Sequence, residues 1–339
     1  MKNPSLYSVV TTIQPPTPAV RHLVRMLARH SGHLIIVGDR KGPSDYHLPG
    51  SELLTLKQQL SLPLRLPSLL PVNHYVRKNV GYLVAIGRRA PCIFETDDDN
   101  APMRNWRPRT STVKAIFARR PSWCNVFAYF TDVLIWPRGF PLEQIGASCR
   151  NLPANRSVLR PIASPIQQVL ADGNPDVDAI WRFILPATVR FSAKPPLALL
   201  RGVWCPFNSQ GTWWWPEAYP LMYLPSHCTF RMTDIWRSFI AQRCVWELGN
   251  AVTFHAPEVF QRRNPHNLLR DFEDEVPGYL QNGKICGTLS KLNLRQGRRA
   301  VPENLLTCYE ALVQKGFFPS MEMELVKTWL QDLARIAPD

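Results

Sequence analysis

No stretch of this chain approaches the roughly 18 apolar residues that a membrane span needs. The opening MKNPSLYSVVTTIQPP holds too short an apolar run for a signal peptide. Eight cysteines, at 92, 124, 149, 205, 228, 244, 286 and 308, include no C-x-x-C pair and no metal-ligand spacing. Several sit in apolar runs, such as Cys92 in PCIF, and read as reduced structural thiols, which points to a cytoplasmic compartment. The histidines show neither H-x-x-H nor H-E-x-x-H, which argues against zinc. Walker A, G-x-S-x-G and G-x-G-x-x-G runs are missing too. The 32 prolines are scattered rather than repeated, so collagen and solenoid readings fall away. Acidic residues are in short supply, 26 Asp and Glu against 40 Lys and Arg, and the formal charge is +14. That balance suits an anionic partner: a nucleotide, nucleic acid, an anionic glycan or a membrane surface.

What is present is ample for a packed core: 45% of 339 residues are hydrophobic. Leu6 to Ile13 is an apolar, β-branched strand broken by Gln14-Pro15-Pro16. Thr17 is a natural cap and Pro18 a natural first helical residue. Val20, Leu23, Val24 and Leu27 then mark one face of an amphipathic helix. His33 to Val37 predicts a buried strand, Leu53 to Leu56 a short one, and Lys57 to Leu60 a helical turn. Tyr75 to Arg88 predicts a helix feeding the strand Cys92 to Thr96, which stops at Asp97-Asp98-Asp99. Such alternation builds a mostly parallel sheet with helices on its faces and ligands at the carboxyl ends of the strands. Further on, strands are expected at Val113 to Phe117, Asn125 to Phe130 and Val133 to Trp136, and a helix near Asp176 to Ile184. Thr233 to Leu248 is a convincing helix, Asn264 to Asn293 looks polar and loop-rich, and Pro302 to Ile336 reads as two helices broken near Pro319.

The acidic triplet stands where a site belongs. Carboxylates bind hard divalent cations, and Mg²⁺ or Mn²⁺ commonly takes one or two of them plus substrate phosphates. Continued strand geometry would aim Asp97 and Asp99 at one face and Asp98 away. The bland alternative is a solvated acidic turn. Arg77 and Lys78, near the start of the preceding helix, add charge suited to a diphosphate, or else form a solvated basic face. Gly81 inside that helix implies a close contact. Basic clusters at Arg104, Arg107 and Arg109, at Arg119-Arg120, at Arg262-Arg263, and at Arg295, Arg298 and Arg299 are solvated faces by default, and as a set suit an anionic acceptor.

Arg77-Lys78-Asn79-Val80-Gly81 ahead of Asp97-x-Asp99 resembles the A-R-N-x-G helix and D-x-D strand end of inverting GT-A glycosyltransferases. The ordered runs GPSDY (42–46), YVRKNVGYLVAI (75–86), DDD, WPRGFPL (136–142), GNPDVDAIW (173–181) and TDIWRSFIAQRCVWELG (233–249) resemble the plant STELLO glycosyltransferase-like family over roughly residues 5 to 262. The membrane anchor of the plant members has no counterpart here, which argues against a Golgi location.

The resemblance implies an α/β, GT-A (Rossmann-like) fold over 1–263, with a donor-binding half to about residue 100 and an acceptor half from 101 to 263. A linker and C-terminal helical extension follow over 264–339. It implies sugar transfer from a nucleotide diphosphate, UDP above others, to a glycan, a lipid-linked glycan at a membrane surface or another hydroxyl acceptor, with Mn²⁺ or Mg²⁺ on Asp97 and Asp99. Carried onto this sequence, the donor site takes in Thr11, Asp45, Arg77, Lys78, Asn79 and Asp97. Asp45 either bonds ribose or uracil or forms a turn. An inverting transferase needs a carboxylate base; Asp234 is the candidate, against the alternative that it caps its helix, with Asp176 and Asp178 next in line. Arg243 either faces the diphosphate or pairs with Glu247. Trp214 and Trp215, beside Trp213, form an acceptor platform or pack in the core. His255 is a further metal-ligand candidate. The competing class is a nucleic-acid-binding protein on the same fold, resting on the charge and the Trp/Arg interleaving, with a DNA-base glycosyltransferase as the hybrid.

Overall fold

The computed structural model describes residues 4–120, 122–148, 158–185, 187–262 and 267–337. Strands β1 (Leu6–Thr11), β2 (Gly32–Val37), β3 (Ser51–Leu54) and β4 (Ile93–Thr96) pair in parallel in the order β3-β2-β1-β4. Covered on both faces, β1 and β2 read as apolar runs rather than as an alternation. The sheet continues through β5 (Asn100–Pro102), β6 (Thr112–Ala118), β7 (Arg160–Ala163), β8 (Ile166–Gly173), β9 (Leu197–Leu199), β10 (Gly211–Trp214) and β11 (Val252–Gln261). Strand β10 lies antiparallel between β4 and β8, and β11 lies parallel to β8. Strands β9, β6 and β7 complete that side, and β5 pairs with β11. The carboxyl ends of β1, β4, β8 and β11 and the amino end of β10 therefore meet at one edge.

The Pro18–Ala28 helix covers one face of this sheet. Thr17 caps it, accepting from the Val20 amide at 3.1 Å, and Val20, Leu23 and Leu27 pack on Leu6, Val10, Leu34 and Ile36. On the other face a 3₁₀ turn, Tyr75–Arg77, leads into the Lys78–Gly87 helix. Here the close contact implied by Gly81 is found. A Cβ at that position would stand 2.5 Å from Val9 Cγ1 and 2.6 Å from Val37 Cγ2, so the helix lies against β1 and β2 at a separation only glycine allows.

The Thr233–Glu247 helix is buried along its whole length, and the helices Leu268–Ser290 and Val301–Gln314 pack on it. The Glu322–Ile336 helix packs on Val301–Gln314 and on Lys78–Gly87. It also reaches the first half of the chain: the Asp332 carboxylate accepts from the amides of Arg65 (3.0 Å) and Leu66 (2.8 Å), at the start of the short Leu66–Leu69 helix. Val301–Gln314 and Glu322–Ile336 are the two helices expected on either side of Pro319. The expected boundary at 263/264 falls in residues 263–266, outside the described residues.

Three local expectations are corrected. Asn125 to Phe130 is not a strand: Asn125 accepts from the Ala128 amide and caps a helix over Val126–Phe130. Val133 to Trp136 is irregular, with Val133 and Leu134 exposed. The described part of Asn264 to Asn293 is dominated by a 23-residue helix, capped by Asn267, whose buried stripe is largely polar. Asp271, Glu275, Gly278, Asn282, Ile285 and Leu289 recur at helical spacing, but too few are apolar to announce a core face.

Alanine is the better helix former, by about 1 kcal/mol, but at Gly81 the overpacking against Val9 and Val37 should cost about 1–3 kcal/mol. Gly81→Ala is expected to be less stable in urea unfolding; an equal or higher midpoint would contradict this close approach.

Candidate active site

A cleft of about 240 Å³ opens at the edge where the strand ends meet. Thr11 ends β1 there, Asp97, Asp98 and Asp99 follow β4, Asp176 follows β8, Gln261 ends β11, and Ser209 and Gln210 precede β10. Asp234, in the first turn of the Thr233–Glu247 helix, closes the far wall with Arg138 and Arg231.

The acidic triplet does not continue the strand. After Thr96 the chain turns, with the Asn100 amide donating to the Asp97 carbonyl at 3.3 Å, so strand alternation no longer applies and all three carboxylates line the cleft. Lys78, wholly buried, donates to Asp97 Oδ1 at 2.7 Å and to the Thr96 carbonyl at 2.9 Å. Asp98 accepts from the Thr12 hydroxyl, and Asp99 accepts from Asn100 and Gln261, each at 3.0 Å. Burial, against the pull of Lys78, pushes Asp97 up to about 6, with Glu95 and Asp234 repelling it. Burial and the charge of Asp97 push Asp99 up to about 7. Three carboxylates thus meet a single ammonium, that of Lys78, at this turn. Asp97 and Asp99 are hard oxygen donors of the kind Mg²⁺ and Mn²⁺ prefer. Among the described residues no group of three or more His, Cys, Asp and Glu is placed to hold a metal ion, so a cation on Asp97 and Asp99 would take the rest of its shell from phosphate or water.

Opposite the turn, Arg138 organises the second wall. It grips Asp176 through Nε (2.8 Å) and Nη2 (2.7 Å), and Nη2 also reaches both oxygens of Asp234 at 3.1 Å. The Ser209 amide donates to Asp234 Oδ2 at 3.2 Å, and the Asp234 amide meets the Tyr75 hydroxyl at 3.1 Å. The side chain of Asp234 does not cap its helix; it is held in the cleft. Asp176 is buried, but Arg138, with Arg231 and Arg182, more than offsets that and holds its carboxyl below the ordinary range. Asp178, two residues on, has a different use. It caps the Ala179–Ile184 helix through the Trp181 amide and accepts from the Trp136 indole at 2.6 Å; burial pushes it up to about 6.

Several other candidates lie elsewhere. Arg77 is buried, its guanidinium spent on Gln59 and the carbonyls of Leu70 and Pro67, because the 3₁₀ turn aims it away from the strand ends. Asn79 bonds the Leu224 backbone through both its amide groups. Arg243 takes the pairing alternative, bonding Glu247 at 2.6 Å and the carbonyls of Leu289 and Leu292; it lies over two turns beyond Asp234 and faces the Leu268–Ser290 helix. Asp45 is exposed beside His47 and does not line the cleft. His255 is fixed between Arg109 (2.8 Å) and Gln167 (2.9 Å), and burial and the Arg109 charge hold its ring neutral.

The tryptophans are core residues. Trp214 is fully buried, its indole donating to Glu95 Oε2 at 2.9 Å, and Trp215 is 7% exposed. Glu95 also receives Arg237 Nη1 at 2.9 Å on both oxygens and the Tyr82 hydroxyl, while Arg237 lies 5.0 Å over the Trp214 ring. The aromatic groups that do line the cleft are Tyr75 and Phe230, in edge contact at 4.6 Å, with Phe230 51% exposed. Neither Tyr75, Arg138 nor Gln261 was expected at the site. Tyr75 and Arg138 stand inside runs already singled out, YVRKNVGYLVAI and WPRGFPL, whereas nothing local marks Gln261.

Residues 231–338 match the family described as STELLO glycosyltransferases. The chain is 27% identical over 348 residues to the probable glycosyltransferase STELLO2 of Arabidopsis thaliana, and 28% identical over 350 residues to STELLO1 of the same plant. Each alignment covers 97% of this chain but 44% of the relative, so the chain spans less than half the length of these proteins. A crystal structure of M. tuberculosis glucosyl-3-phosphoglycerate synthase overlays 84% of this chain on 81% of its own, with 10% identity and a TM-score of 0.38, too distant a likeness to support any assignment.

The two acids of the 173–181 run should move stability in opposite directions with pH. Asp176 titrates lower folded than unfolded, so its contribution is present above pH 4 and fades below it. Asp178 titrates higher folded, so stability is lost as pH rises from about 4 to 6, by roughly 3 kcal/mol. Urea unfolding at pH 4.5 and 7 is expected to show Asp176→Asn losing stability at both. Asp178→Asn, which keeps a cap, should gain on the parent as pH rises; the same pH response in both variants would refute the assignment.

Proposed function

Taking kinship with the STELLO glycosyltransferases as the premise, we propose that this chain is a metal-assisted, inverting glycosyltransferase acting on a nucleotide-diphosphate sugar, UDP-linked above others. The observation that carries the reading is the meeting of Thr11, Asp97, Asp99 and Asp234 in one cleft at the carboxyl edge of the sheet. Ligands of such sheets bind at that edge.

In this reading the base and ribose lie toward Thr11 and the diphosphate lies over the acidic turn. Lys78 does not touch the donor; it fixes the Asp97 carboxylate from beneath. Mg²⁺ or Mn²⁺ on Asp97 and Asp99 would neutralise the charge gathering on the departing diphosphate. Asp234 accepts the proton of an acceptor hydroxyl as that oxygen bonds the anomeric carbon, and the bond to the diphosphate oxygen breaks. Arg138 aims Asp234, and Asp176 holds Arg138 from behind. Tyr75 and Phe230 offer the acceptor sugar an aromatic wall in place of Trp214 and Trp215.

Calorimetric titration of UDP with Mn²⁺, and again with a chelator, tests the donor half. Metal-dependent binding that is lost in Asp97→Ala and Asp99→Ala is the expected result; binding that survives in both sinks the site assignment, and no binding sinks the donor assignment. Asp234→Asn should bind UDP as the parent does but turn over UDP-sugars about 10²–10⁴-fold more slowly, read as UDP release. An unchanged rate would remove Asp234 from catalysis.

A further inference from the structure

A second cavity, of about 830 Å³, opens at the opposite edge of the sheet. Ala90 and Pro91, which precede β4, and Pro216, which follows β10, line it, so the four residues of β4, roughly 13 Å of strand, separate it from the acidic turn. Its walls are the end of the Lys78–Gly87 helix, the Pro216–Met222 stretch, the Arg298–Ala300 turn and the Glu322–Ile336 helix. The buried surface they present is mainly carbon, from Ile86, Tyr219 and Leu333. The Tyr219 hydroxyl is spent on the Ala90 carbonyl at 2.8 Å.

Three arginines stand on this wall: Arg89, Arg298 and Arg299. All three are exposed, and among the described residues their guanidiniums make no hydrogen bond or ion pair with the protein. Glu217 is the one acid lining the cavity among those residues, and its Oε2 is buried without a partner. Arg89 is also held at a backbone cost. It has φ 58° at the end of its helix, where Arg89 N to Ile86 O (2.8 Å) and Ala90 N to Ala85 O (3.1 Å) close the turn. Glycine takes that conformation with less strain. An arginine kept there, exposed and lining the cavity, makes no polar contact within the described residues that would offset this backbone cost.

We propose that this cavity binds an amphiphile with a phosphate head and an aliphatic chain. The guanidiniums present forked donors suited to the several oxygens of a phosphate. The carbon wall gains by taking a chain out of water. A sugar or nucleoside would leave its hydroxyls desolvated and unpaired against the same wall. The site is separate from the cleft, and its fate does not depend on the reaction proposed there.

The test is calorimetric titration of the whole chain with dodecyl phosphate, below its micelle concentration, and with inorganic phosphate. Saturable one-to-one binding of dodecyl phosphate, at least tenfold tighter than inorganic phosphate, is expected. Arg298→Gln with Arg299→Gln should weaken it at least tenfold. Arg89→Gly should weaken it as well, while its thermal midpoint stays level or rises, which a merely structural arginine would not give. Equal affinity for the two probes would reduce the site to a surface anion patch. Undiminished binding in the arginine variants, or none in the parent, would overturn the proposal.

Discussion

The Glu95–Arg237 ion pair sits at the centre of the molecule, with both side chains out of water. Removing two charges from solvent costs several kcal/mol per ion, and the attraction between them offsets that only with good geometry and further hydrogen bonds. Here the guanidinium meets both carboxylate oxygens at 2.9 Å, Tyr82 and the Trp214 indole add their donors, and the Trp214 ring lies beneath the guanidinium. Position matters as much as energy. Glu95 is two residues before Asp97, and Arg237 is three after Asp234, so the pair ties the strand carrying the acidic turn to the helix carrying the facing carboxylate. Loss of either partner would strand a buried charge, and the two walls of the cleft would lose their common reference.

The same logic governs the rest of the charge. Arg138 with Asp176 and Asp234, Arg231 with Glu275, Arg243 with Glu247 and Arg109 with Glu258 each bring an acid and a base inside together. Internal pairing uses up acids that were already scarce. The surplus behind the +14 charge is therefore concentrated outside these pairs, at places such as the Arg298–Arg299 turn.

The architecture of the first hundred residues was legible because local signals agreed there. Thr17-Pro18 capped its helix, Gly81 marked a close approach, and β1, β2 and β4 carried apolar runs ending in polar turns. The acidic turn stood out by residue type and its place after a strand, Asp234 only through the family resemblance, and both line the cleft. What stayed hidden was direction. Arg77, Asn79 and Arg243 have the right chemistry beside the right motifs, yet backbone geometry turns each toward protein carbonyls. The Leu268–Ser290 helix was missed for a related reason: its inward stripe is made of Asp271, Glu275 and Asn282, whose burial makes sense only once Arg231, the Ala179 amide and Trp236 are seen across from them. Polar core faces satisfy a partner that one-dimensional periodicity does not contain.

The Asp332 carboxylate, closing the amides of Arg65 and Leu66, joins positions 267 and 266 residues apart. A ribosome releases the strands β1 to β4 long before it releases that aspartate. During synthesis the Leu66–Leu69 turn and the outer flank of the Lys78–Gly87 helix must wait with their backbone donors and apolar side chains uncovered. The surface that the Glu322–Ile336 helix covers in the finished fold therefore has no cover until the last residues have been made. Apolar surface and backbone donors left open in this way during folding are what make chains of this size prone to associate before they are complete.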